Sequence, residues 1–551
     1  MLGFYMVFIV ISIIIALLNS EVIHVLGKPF NYQWLYYSDF LKSTDASKAM
    51  GASVGWEFIA GGILILLSVI PLTWTLYHLH NKKSFIIPAA IVISLAIIFF
   101  SKTDPAVSRL KTVNPVFYFV SSLNSSGGWL TTGKNLIKGS EFEMKNADSV
   151  QEKYATAFKQ SKVKNVILFV LESTPAEYVT CYNQNIKATP FLDSVKHHAA
   201  IFDAVYAHTP ATNKSMVSLL CSVYPYLSFK SITVERPDIN LPSITSQLKG
   251  YGYRSAFFNS GDNRYQNAEG FLKNRNFDEV QDFRDNPCDK SIFTDNRYSK
   301  DNLDGIDDSC LSVRFFNWVK KDTSKPFFSM MWTFQTHYPY FPSGKPIDFG
   351  VANPSLAKYL NALHRADETL KQLVDGLKKE GMFESTLIVV LGDHGEAFGR
   401  HGQTTHAGGI YEENLHIPLL LINPVLFSGE RLGYVGGISD VAPTIFSVLN
   451  KSAPKDWQGE NLFAVNRRKR VYLFSPYSDY LFGFREDNYK FIFNGSDNTV
   501  ALYDLKTDPL ESNNIADKQP GYVKGANEHL QAWIQYQADY MNTHLATSAN
   551  R

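Results

Sequence analysis

The chain has 551 residues, which exceeds what one compact hydrophobic core usually holds and predicts two or three structural units. Its formal net charge of +1 argues against a nucleic-acid partner, because such partners favour a strongly basic face. Aromatic residues make up 14% of the chain, a content that suits contact with a membrane and with a sugar or lipid. Composition therefore favours a multi-unit protein at a membrane.

Three apolar stretches precede the polar bulk of the chain: Leu2–Leu18, Phe58–Tyr77 and Phe85–Phe100. Each is close to the roughly 20 residues that cross a bilayer as a helix. A cleaved signal peptide is the alternative for the first stretch. That stretch lacks a basic start and is followed by two more, so we predict three transmembrane helices within residues 1–101.

The orientation follows from the short turn between the second and third stretches. It contains His78, His80, Lys82 and Lys83 and no acid, so the positive-inside rule places it in the cytoplasm. The odd number of spans then exports everything that follows. We predict a multi-pass protein of the cell (inner) membrane whose large polar region is extracytoplasmic or periplasmic.

Four cysteines occur, all after the first hundred residues: Cys181, Cys221, Cys288 and Cys310. An even number permits disulfides, and Cys288 and Cys310 are the preferred pair because they bracket a polar, Asp-rich stretch. Free buried thiols are the alternative. The stretch Asp282–Asp308 fits no calcium-binding EF-hand spacing, so it is interpreted as a loop.

Two apolar runs end at a carboxylate. Val166–Leu171 leads into Glu172, and Leu387–Val390 leads through Gly392 into Asp393 and His394. Open α/β sheets place their chemistry at the carboxyl ends of strands. Asp-His also offers a divalent cation one oxygen and one nitrogen ligand. A polar turn that closes a strand is the alternative for the second run.

A hydroxyl lies where a helix is predicted to begin. Apolar residues at Met216, Val217, Leu219 and Leu220 fit a helix whose amino terminus is near Thr212. A hydroxyl at this position is commonly a helix cap. The same position favours an anionic group and lowers the pKa of an alcohol, so Thr212 beside a divalent cation is a candidate nucleophile.

The order of these motifs resembles the sulfatase and alkaline-phosphatase-like superfamily. Thr212 lies thirteen residues before Pro225, which closes a Leu-Leu-Cys-Ser-Val-Tyr-Pro run similar to one in sulfatases. Later segments match in order as well: Gln335–Tyr340, Gly399–Gly402, Thr405–Gly408 and Leu502–Asn514. The resemblance covers about Asn165 to Asp517.

The resemblance implies an α/β fold, with a sulfatase-like central sheet that has helices on both faces. Transmembrane helices precede it and a small α+β C-terminal subdomain follows it. We expect a membrane region at 1–101, a juxtamembrane tether at 102–162, a catalytic domain at 163–465 and the C-terminal subdomain at 466–551. Apolar residues at helical spacing in Val523–Met541 predict a terminal helix packed on the core.

The resemblance also places Glu172, Thr212, Asp393 and His394 around one divalent cation. Zinc is the expected metal, because the set mixes oxygen and nitrogen ligands with an alkoxide. Manganese or magnesium is the alternative if carboxylates dominate. Thr212 is the expected nucleophile of this centre.

Four further side chains are implied in substrate binding: His337, His401, His406 and Lys214. His337 and His406 are expected to hold the transferred group or to protonate a leaving oxygen, and so to be catalytic as well. A surface or supporting position is the alternative for each histidine. Contact with solvent is the alternative for Lys214.

Thr212 and Met216 depart from the sulfatase pattern. Sulfatases have a Cys or Ser that is oxidised to an aldehyde, and a threonine cannot form it; Met216 replaces the arginine of the motif. The chain thus resembles the membrane-anchored branch of phosphoethanolamine transferases and lipoteichoic-acid-synthase-like phosphoglycerol transferases. This branch implies a membrane phospholipid as donor, a lipid or glycan acceptor outside the cytoplasm, and no nucleic acid. Hydrolysis of sulfuric or phosphoric esters is the alternative activity.

Overall fold

The computed structural model describes residues 10–19, 150–285, 305–477, 479–496 and 498–549, together with Ile63, Phe142 and Cys288. Residues 10–19, which overlap the end of the first predicted span (Leu2–Leu18), are helical. Among the residues described, no helix has both the length and the apolar character needed to cross a membrane. The other two predicted spans lie outside the described residues, apart from Ile63. Strands and helices are numbered below from residue 150.

Twelve strands lie in the described part of the chain: β1 (Asn165–Leu171), β2 (Ala199–Tyr206), β3 (Arg254–Asn259), β4 (Glu279–Gln281), β5 (Phe327–Trp332), β6 (Thr386–Gly392), β7 (His416–Ile422), β8 (Glu430–Gly437), β9 (Arg470–Ser475), β10 (Leu481–Glu486), β11 (Tyr489–Asn494) and β12 (Thr499–Asp504). They form an eight-stranded sheet in the order β4-β3-β5-β1-β6-β7-β2-β8 and a four-stranded sheet in the order β12-β11-β10-β9.

The large sheet is mixed. β4, β3, β5, β1 and β6 are parallel neighbours, whereas β7 pairs antiparallel with both β6 and β2. β1 is buried along its whole length between β5 and β6, as expected for a central parallel strand. The carboxyl ends of β5, β1 and β6 therefore meet at one edge of the sheet.

The helices are α1 (Glu152–Gln160), α2 (Pro190–Val195), α3 (Thr212–Cys221), α4 (Ile232–Glu235), α5 (Ile244–Gly250), α6 (Ala268–Lys273), α7 (Cys310–Val319), α8 (Pro354–Lys379), α9 (Glu412–Leu415), α10 (Val441–Val448) and α11 (Pro520–Ala549). Short 3₁₀ turns accompany them at Ala176–Tyr178, Lys196–His198, Tyr265–Asn267, Arg400–Gly402, Ile438–Asp440 and Ala516–Lys518.

Alternate residues of β1 enter two separate cores. Val166, Leu168 and Val170 pack in one core, to which α3, α5 and α10 contribute. Ile167, Phe169 and Leu171 pack in the other, to which α2, α7 and α8 contribute. Because successive side chains of a strand point to opposite faces, the sheet has helices on both faces, and this part of the predicted fold is confirmed.

The small antiparallel sheet and α11 form a second unit, here called the C-terminal unit (β9–β12 and α11). Phe482, Phe484 and Phe491 of its strands pack with Leu530 and Trp533 of α11 in a core of their own. The terminal helix predicted over Val523–Met541 is confirmed, within the longer α11. The unit has the α+β composition expected for the end of the chain.

The last part of the predicted tether packs on the catalytic core. Tyr154 and Phe158 of α1 are buried, with ring centroids 4.4 and 5.1 Å from that of Phe463. α1 precedes residue 163, where the sequence places the start of the catalytic domain. Residues 152–160 are thus part of the folded unit.

A disulfide joins Cys288 to Cys310 at the start of α7, as preferred from the sequence, while Cys181 and Cys221 are free and buried. Asp307 and Asp308 lie just before Cys310. Asp308 accepts hydrogen bonds from the amides of Phe334 and Gln335, which lead into His337. The disulfide therefore lies close in sequence to Asp308, which supports the loop that follows β5.

Candidate active site

Four predicted residues meet at the carboxyl edge of β1 and β6. The strands pair in parallel with Leu171 opposite Gly392, so the residues that follow them, Glu172 and Asp393, leave the sheet side by side. α3 begins at Thr212 and directs its amino terminus at the same point. The structure thus brings together Glu172, Thr212, Asp393 and His394, the set predicted to surround one cation.

The distances within this set match a shared cation. Thr212 Oγ1 lies 3.1 Å from Glu172 Oε1 and 3.2 Å from His394 Nε2. His394 Nε2 lies 3.4 Å from Asp393 Oδ2 and 3.8 Å from Glu172 Oε1. Two ligands of a tetrahedral zinc ion are about 3.3 Å apart when each is about 2 Å from the metal. The spacing of the four donor atoms therefore suits one ion of that size.

The hydrogen bonds leave these atoms as lone-pair donors. His394 Nδ1 donates to the carbonyl of Gly395 at 2.9 Å, so a neutral His394 presents an unprotonated Nε2. Thr212 has one hydroxyl proton for two acceptors, Glu172 and His394. Asp393 Oδ2 is buried and has no hydrogen-bond partner in the described part of the chain. A positive charge is what this set lacks, and the residues present fit a divalent cation.

Both carboxylates are oriented by neighbouring side chains and amides. Glu172 Oε1 accepts from the Ser173 hydroxyl and Oε2 from the indole of Trp332, each at 2.9 Å. Asp393 Oδ1 accepts from the amides of Ser173 at 2.8 Å and His394 at 2.9 Å. One free oxygen of Asp393 consequently faces the centre in a fixed direction, as in metal sites whose ligands are held by outer contacts.

The glycines of the Gly-Asp-His-Gly motif are needed for close packing. A Cβ at Gly392 would overlap the carbonyl oxygen of Thr174, and one at Gly395 would overlap that of Glu413. The motif is thus more than a polar turn, because both flanking positions press against backbone that helps to build the site.

Burial dominates the electrostatics. It raises the pKa of Glu172, raises the pKa of Asp393 to about 7 and lowers the pKa of His394 to about 4. Each shift opposes the charged form of the group. Thr212 is only half-buried, whereas Glu172, Asp393 and His394 are buried. The hydroxyl is therefore the member of the set that a substrate can reach.

His337 and His406 lie beside this centre. The ring centroid of His406 is 4.4 Å from that of His394 and 6.2 Å from that of His337. His406 Nδ1 is 3.2 Å from Glu396 Oε2, and burial lowers the pKa of His406 to about 4. Burial also raises the pKa of Glu396 to about 8. The positions of both histidines agree with contact to a group held at Thr212, and their roles remain predictions.

His401 is engaged elsewhere. Its Nδ1 lies 2.6 Å from Glu413 Oε1, its Nε2 lies 3.2 Å from the Glu511 carbonyl, and its ring stacks on Tyr411 at 3.7 Å. No described contact joins it to the four-residue centre. The predicted substrate contact of His401 thus has no support in the geometry, and a supporting position fits the contacts better.

Lys214 is neither in solvent nor directed at the centre. Its ammonium is buried and donates to three carbonyls, those of Tyr226, Ser228 and Lys230, at 3.1, 2.7 and 3.1 Å. Burial lowers the pKa of Lys214 to about 7. An ammonium has three protons, and these three bonds use them. Lys214 therefore fixes the turn after α3, and the geometry does not support its predicted phosphate contact.

Sequence reasoning missed three residues that shape the site: Ser173, Trp332 and Glu396. Trp332 ends β5 and pairs with Val170 of β1, so the order of strands in the sheet would have revealed it. Ser173 has a positive φ of 49°, which turns its amide and hydroxyl toward the two carboxylates. Glu396 follows directly on the Gly-Asp-His-Gly motif, and this proximity was the available signal.

The fold is that of the alkaline-phosphatase-like class, and the four-residue centre is suited to a divalent cation. Residues 164–451, just over half of the chain, match the family described as sulfatase, and residues 406–535 match "N-sulphoglucosamine sulphohydrolase, C-terminal". The chain therefore belongs to the sulfatase family. Proteins of this kind depend on a metal, and the Glu172, Asp393 and His394 cluster is suited to hold one.

Relatives of two kinds are similar to the chain. Lipoteichoic acid synthase 2 of Bacillus subtilis is 25% identical over 57% of this chain and 49% of its own length. Arylsulfatase K of Bos taurus is 21% identical over 68% of this chain and 82% of its own. The structure of the lipoteichoic acid synthase LtaP from Listeria monocytogenes shares the fold, with a TM-score of 0.54 and 17% identity over 75% of this chain and 99% of that one.

The chain spans about half the length of lipoteichoic acid synthase 2 and of a lipoteichoic acid synthase-like protein, both of Bacillus subtilis. These matches support the lipoteichoic-acid-synthase-like branch of the family. The match to arylsulfatase K means that hydrolysis also remains a candidate activity.

Proposed function

We propose that this protein is a membrane-anchored, metal-dependent transferase. It moves the phosphoethanolamine or phosphoglycerol headgroup of a membrane phospholipid, through Thr212, to a lipid or glycan acceptor outside the cytoplasm. The observation that carries the proposal is the half-buried Thr212 hydroxyl, held 3.1 Å from Glu172 and 3.2 Å from His394 at the start of α3. The similarity to lipoteichoic acid synthases supports phosphoglycerol in particular.

The metal is proposed to be zinc, held by Glu172, Thr212, Asp393 and His394. Zinc suits a set of two carboxylates, one imidazole and one alkoxide at these separations, whereas magnesium and manganese prefer more oxygen ligands. When bound, the ion lowers the pKa of the Thr212 hydroxyl and neutralises charge on phosphoryl oxygens. The orphaned, buried Asp393 Oδ2 supports its place in the ligand set.

In the first half of the reaction, Thr212 Oγ1 attacks the phosphorus of the donor. The hydroxyl proton is lost to water beforehand, because Glu172 Oε1, its hydrogen-bond acceptor, is itself a proposed ligand of the ion. A bond forms between Thr212 Oγ1 and phosphorus, and the bond to the diacylglycerol oxygen breaks. An anionic phosphoryl group beside the imidazole of His337 or His406 favours its protonated form against the effect of burial. The diacylglycerol oxygen takes that proton, which leaves a phosphodiester on Thr212.

In the second half, the acceptor hydroxyl attacks the same phosphorus and gives its proton to the neutral imidazole. The Thr212–phosphorus bond breaks, and Thr212 Oγ1 departs as an alkoxide that can attack the next donor. The amino terminus of α3 stabilises the anionic phosphoryl group through both halves, because the helix dipole is positive there. His337 and His406 are half-buried beside the centre, and they bind the headgroup as well.

The proposed setting is the cell membrane, with the catalytic domain on its extracytoplasmic or periplasmic side. Three predicted spans in residues 1–101 and the basic turn at Lys82 and Lys83 support this orientation. A phospholipid donor explains why the domain is kept at the bilayer.

Mass spectrometry tests the proposal directly. The full chain, purified in detergent with zinc, is incubated with phosphatidylglycerol or phosphatidylethanolamine and digested. We expect a peptide containing Thr212 to gain the mass of one headgroup phosphodiester, with diacylglycerol released. Thr212→Ala is the variant that must lose the adduct. A headgroup adduct on another residue, or transfer that persists in Thr212→Ala, would falsify the assignment of the nucleophile.

Hydrolysis of a sulfuric or phosphoric ester is the second candidate function. The match to arylsulfatase K and to the sulphohydrolase C-terminal family favours it. Its signature is turnover of 4-nitrophenyl sulfate or 4-nitrophenyl phosphate with water as the acceptor and no lipid product. Sulfate release without headgroup transfer would replace the transferase proposal.

A further inference from the structure

A second group of buried charges lies away from the strand ends. The Lys490 cluster consists of Lys490 on β11, Glu412 at the start of α9 and Glu511 after β12. Lys490 Nζ is 3.0 Å from Glu412 Oε1 and 3.0 Å from Glu511 Oε1. The side chains of Lys490 and Glu511 are fully buried. Because burial of a charge is costly unless it is paired, this cluster has a fixed geometry.

The extra carboxylate charge of the cluster has its own partners. The hydroxyl of Tyr206 donates to Glu412 Oε2 at 3.1 Å and accepts from Arg485 Nε at 3.0 Å. His416 Nδ1 lies 3.4 Å from the same oxygen. Lys490, Arg485 and Glu511 belong to the C-terminal part of the chain. Tyr206 and His416 belong to the large sheet, and Glu412 belongs to α9, which leads into β7 of that sheet. The cluster is thus an ionic joint between the two.

Glu511 forms hydrogen bonds with both ends of one segment of the chain, residues 401–412. Its Oε2 accepts from the amide of Glu412 at 2.6 Å, and its carbonyl accepts from His401 Nε2 at 3.2 Å. The backbone of Glu511 is left-handed, with a φ of 52°. A non-glycine residue holds that conformation only when its surroundings determine it. The segment 401–412 is therefore fixed from the C-terminal side at its first and last residues.

The two bonds of His401 show how it takes part. Nδ1 faces the carboxylate of Glu413 and Nε2 faces the carbonyl of Glu511, and both partners only accept hydrogen bonds. Both ring nitrogens must therefore carry a proton, so His401 is an imidazolium in this arrangement. It is a cationic link between the segment and Glu511.

The segment 401–412 contains His406. Asn414, just beyond the segment, donates to the carbonyl of His406 at 3.1 Å, and its own carbonyl accepts from the amide of Gly395. The His406 ring lies 4.4 Å from that of His394. Contacts at Glu511 thus reach the proposed catalytic imidazole through one short stretch of chain.

We infer that Glu511 and Lys490 are positioning residues of the active site, which place His406 by holding the segment 401–412 from the C-terminal unit. The inference rests on the proposed function only for the role of His406. The C-terminal unit then helps to position the catalytic centre, although none of its residues touches Thr212 or the metal ligands in the described contacts.

The decisive variant is Glu511→Gly in the full chain, purified in detergent with zinc. Glycine suits the positive φ, and removal of the carboxylate leaves Lys490 paired one to one with Glu412, so no charge is left uncompensated. We expect kcat on the lipid donor to fall about tenfold, the effect typical of an outer contact that orients a catalytic group. KM and the dissociation constant for zinc should stay within about twofold.

Hydrogen–deuterium exchange of residues 399–411 is the second readout, and it does not depend on activity. We expect the amides of this stretch to exchange about tenfold faster in Glu511→Gly, while the strands of the large sheet are unchanged. His401→Gln removes the other link and should produce the same local change. It serves as the second variant if Glu511→Gly does not fold.

Glu486→Gln is the matched control, because Glu486 of β10 pairs with Arg470 at 2.7 Å and has no described contact with residues 401–412. It should behave as the wild type in both readouts. The inference is overturned if Glu511→Gly and His401→Gln exchange and turn over like Glu486→Gln. Should the wild type transfer no headgroup, the proposed function fails, while exchange of residues 399–411 still decides the positioning.

Discussion

Each of two regions of this molecule buries a pair of carboxylates, and the two regions differ in how the negative charge is compensated. In the Lys490 cluster the chain supplies its own cation, 3.0 Å from each carboxylate. At the strand ends Glu172 and Asp393 have no such partner, and Asp393 Oδ2 has no hydrogen-bond donor among the described residues. In the Lys490 cluster the buried charges are balanced within the protein, and the cluster connects two parts of the chain. At the strand ends the buried carboxylates are available to bind an external cation, which is what a reactive centre requires.

The pKa shifts express this difference at Lys490 and at Glu412, whose pKa is lowered, but not at Glu511, whose pKa burial raises to about 7. Burial works to lower the pKa of Lys490, but the attraction of Glu511 and Glu412 outweighs it, and the pKa is raised. Lys490 therefore stays charged. At the strand ends burial raises the pKa of Asp393 to about 7, so the carboxylate needs a cation to remain ionised in neutral solution.

The largest expected effect is on catalysis. Thr212→Ala removes the proposed nucleophile and should lower kcat for headgroup transfer by at least about 1,000-fold, because the covalent intermediate is proposed to form on its hydroxyl. Thr212→Ser keeps a hydroxyl and should retain measurable transfer. The measurement is release of diacylglycerol from phosphatidylglycerol. Equal activity in Thr212→Ala and the wild type would remove the strand-end centre from the reaction.

The next effect is on stability. Lys490→Met leaves Glu412 and Glu511 buried without their cation, and should lower the free energy of unfolding by about 3–5 kcal/mol. Urea unfolding followed by circular dichroism gives the value. Adding Glu412→Gln and Glu511→Gln to Lys490→Met should recover most of the loss. A loss below about 1 kcal/mol would show that the cluster is not the joint described here.

The third effect separates the two regions by metal affinity. Asp393→Asn should weaken zinc binding by more than about 100-fold, since loss of a ligand costs at least as much as loss of an outer contact. Glu412→Gln, the matched change in the Lys490 cluster, should leave the affinity unchanged. Competition with a chromophoric chelator measures both. Equal affinities in the two variants would mean that the metal lies elsewhere.

The smallest effect is a pH dependence of the link through His401. Burial works to lower the pKa of His401, but its hydrogen bond to Glu413 and the attraction of Glu413 and Glu511 outweigh burial, and the pKa is raised above 6.5. Stabilisation from a raised pKa is complete below the unfolded value and is lost as the pH rises through the folded value. Tyr411 stacks on this imidazole, and Arg400 Nε lies 3.9 Å from Oε2 of its partner Glu413.

The wild type should therefore lose stability relative to His401→Gln as the pH rises from below 6.5 to above the raised pKa. Urea unfolding of both proteins across that range is the measurement. A difference that is constant or grows with pH would show that His401 is not held as a cation.

The strand-end centre was largely predictable from the sequence because its parts are local. Glu172 and Asp393 each follow an apolar run directly, and Thr212 lies at the start of a helical pattern. What the sequence lacks is the order of the strands, and this order makes β1 and β6 neighbours. Trp332 was missed for the same reason, since it reaches Glu172 only because β5 flanks β1.

Side-chain direction was the other limit. His401 and Lys214 are near the residues of the centre in the sequence, but their side chains have other partners. Glu413 and Glu511 bind the side chain of His401, and three carbonyls bind that of Lys214. These partners come from distant parts of the chain or from a turn whose shape the sequence does not specify. The reversed direction of β7 within the sheet was likewise outside what periodicity indicates.

The disulfide between Cys288 and Cys310 has a practical side. Such bonds form and persist in oxidising compartments and are rare where thiols are kept reduced. Protein made in a reducing bacterial cytosol would lack this cross-link next to Asp308, which holds the amides leading into His337. Weak turnover from such a preparation would report on how the protein was made rather than on what the enzyme does.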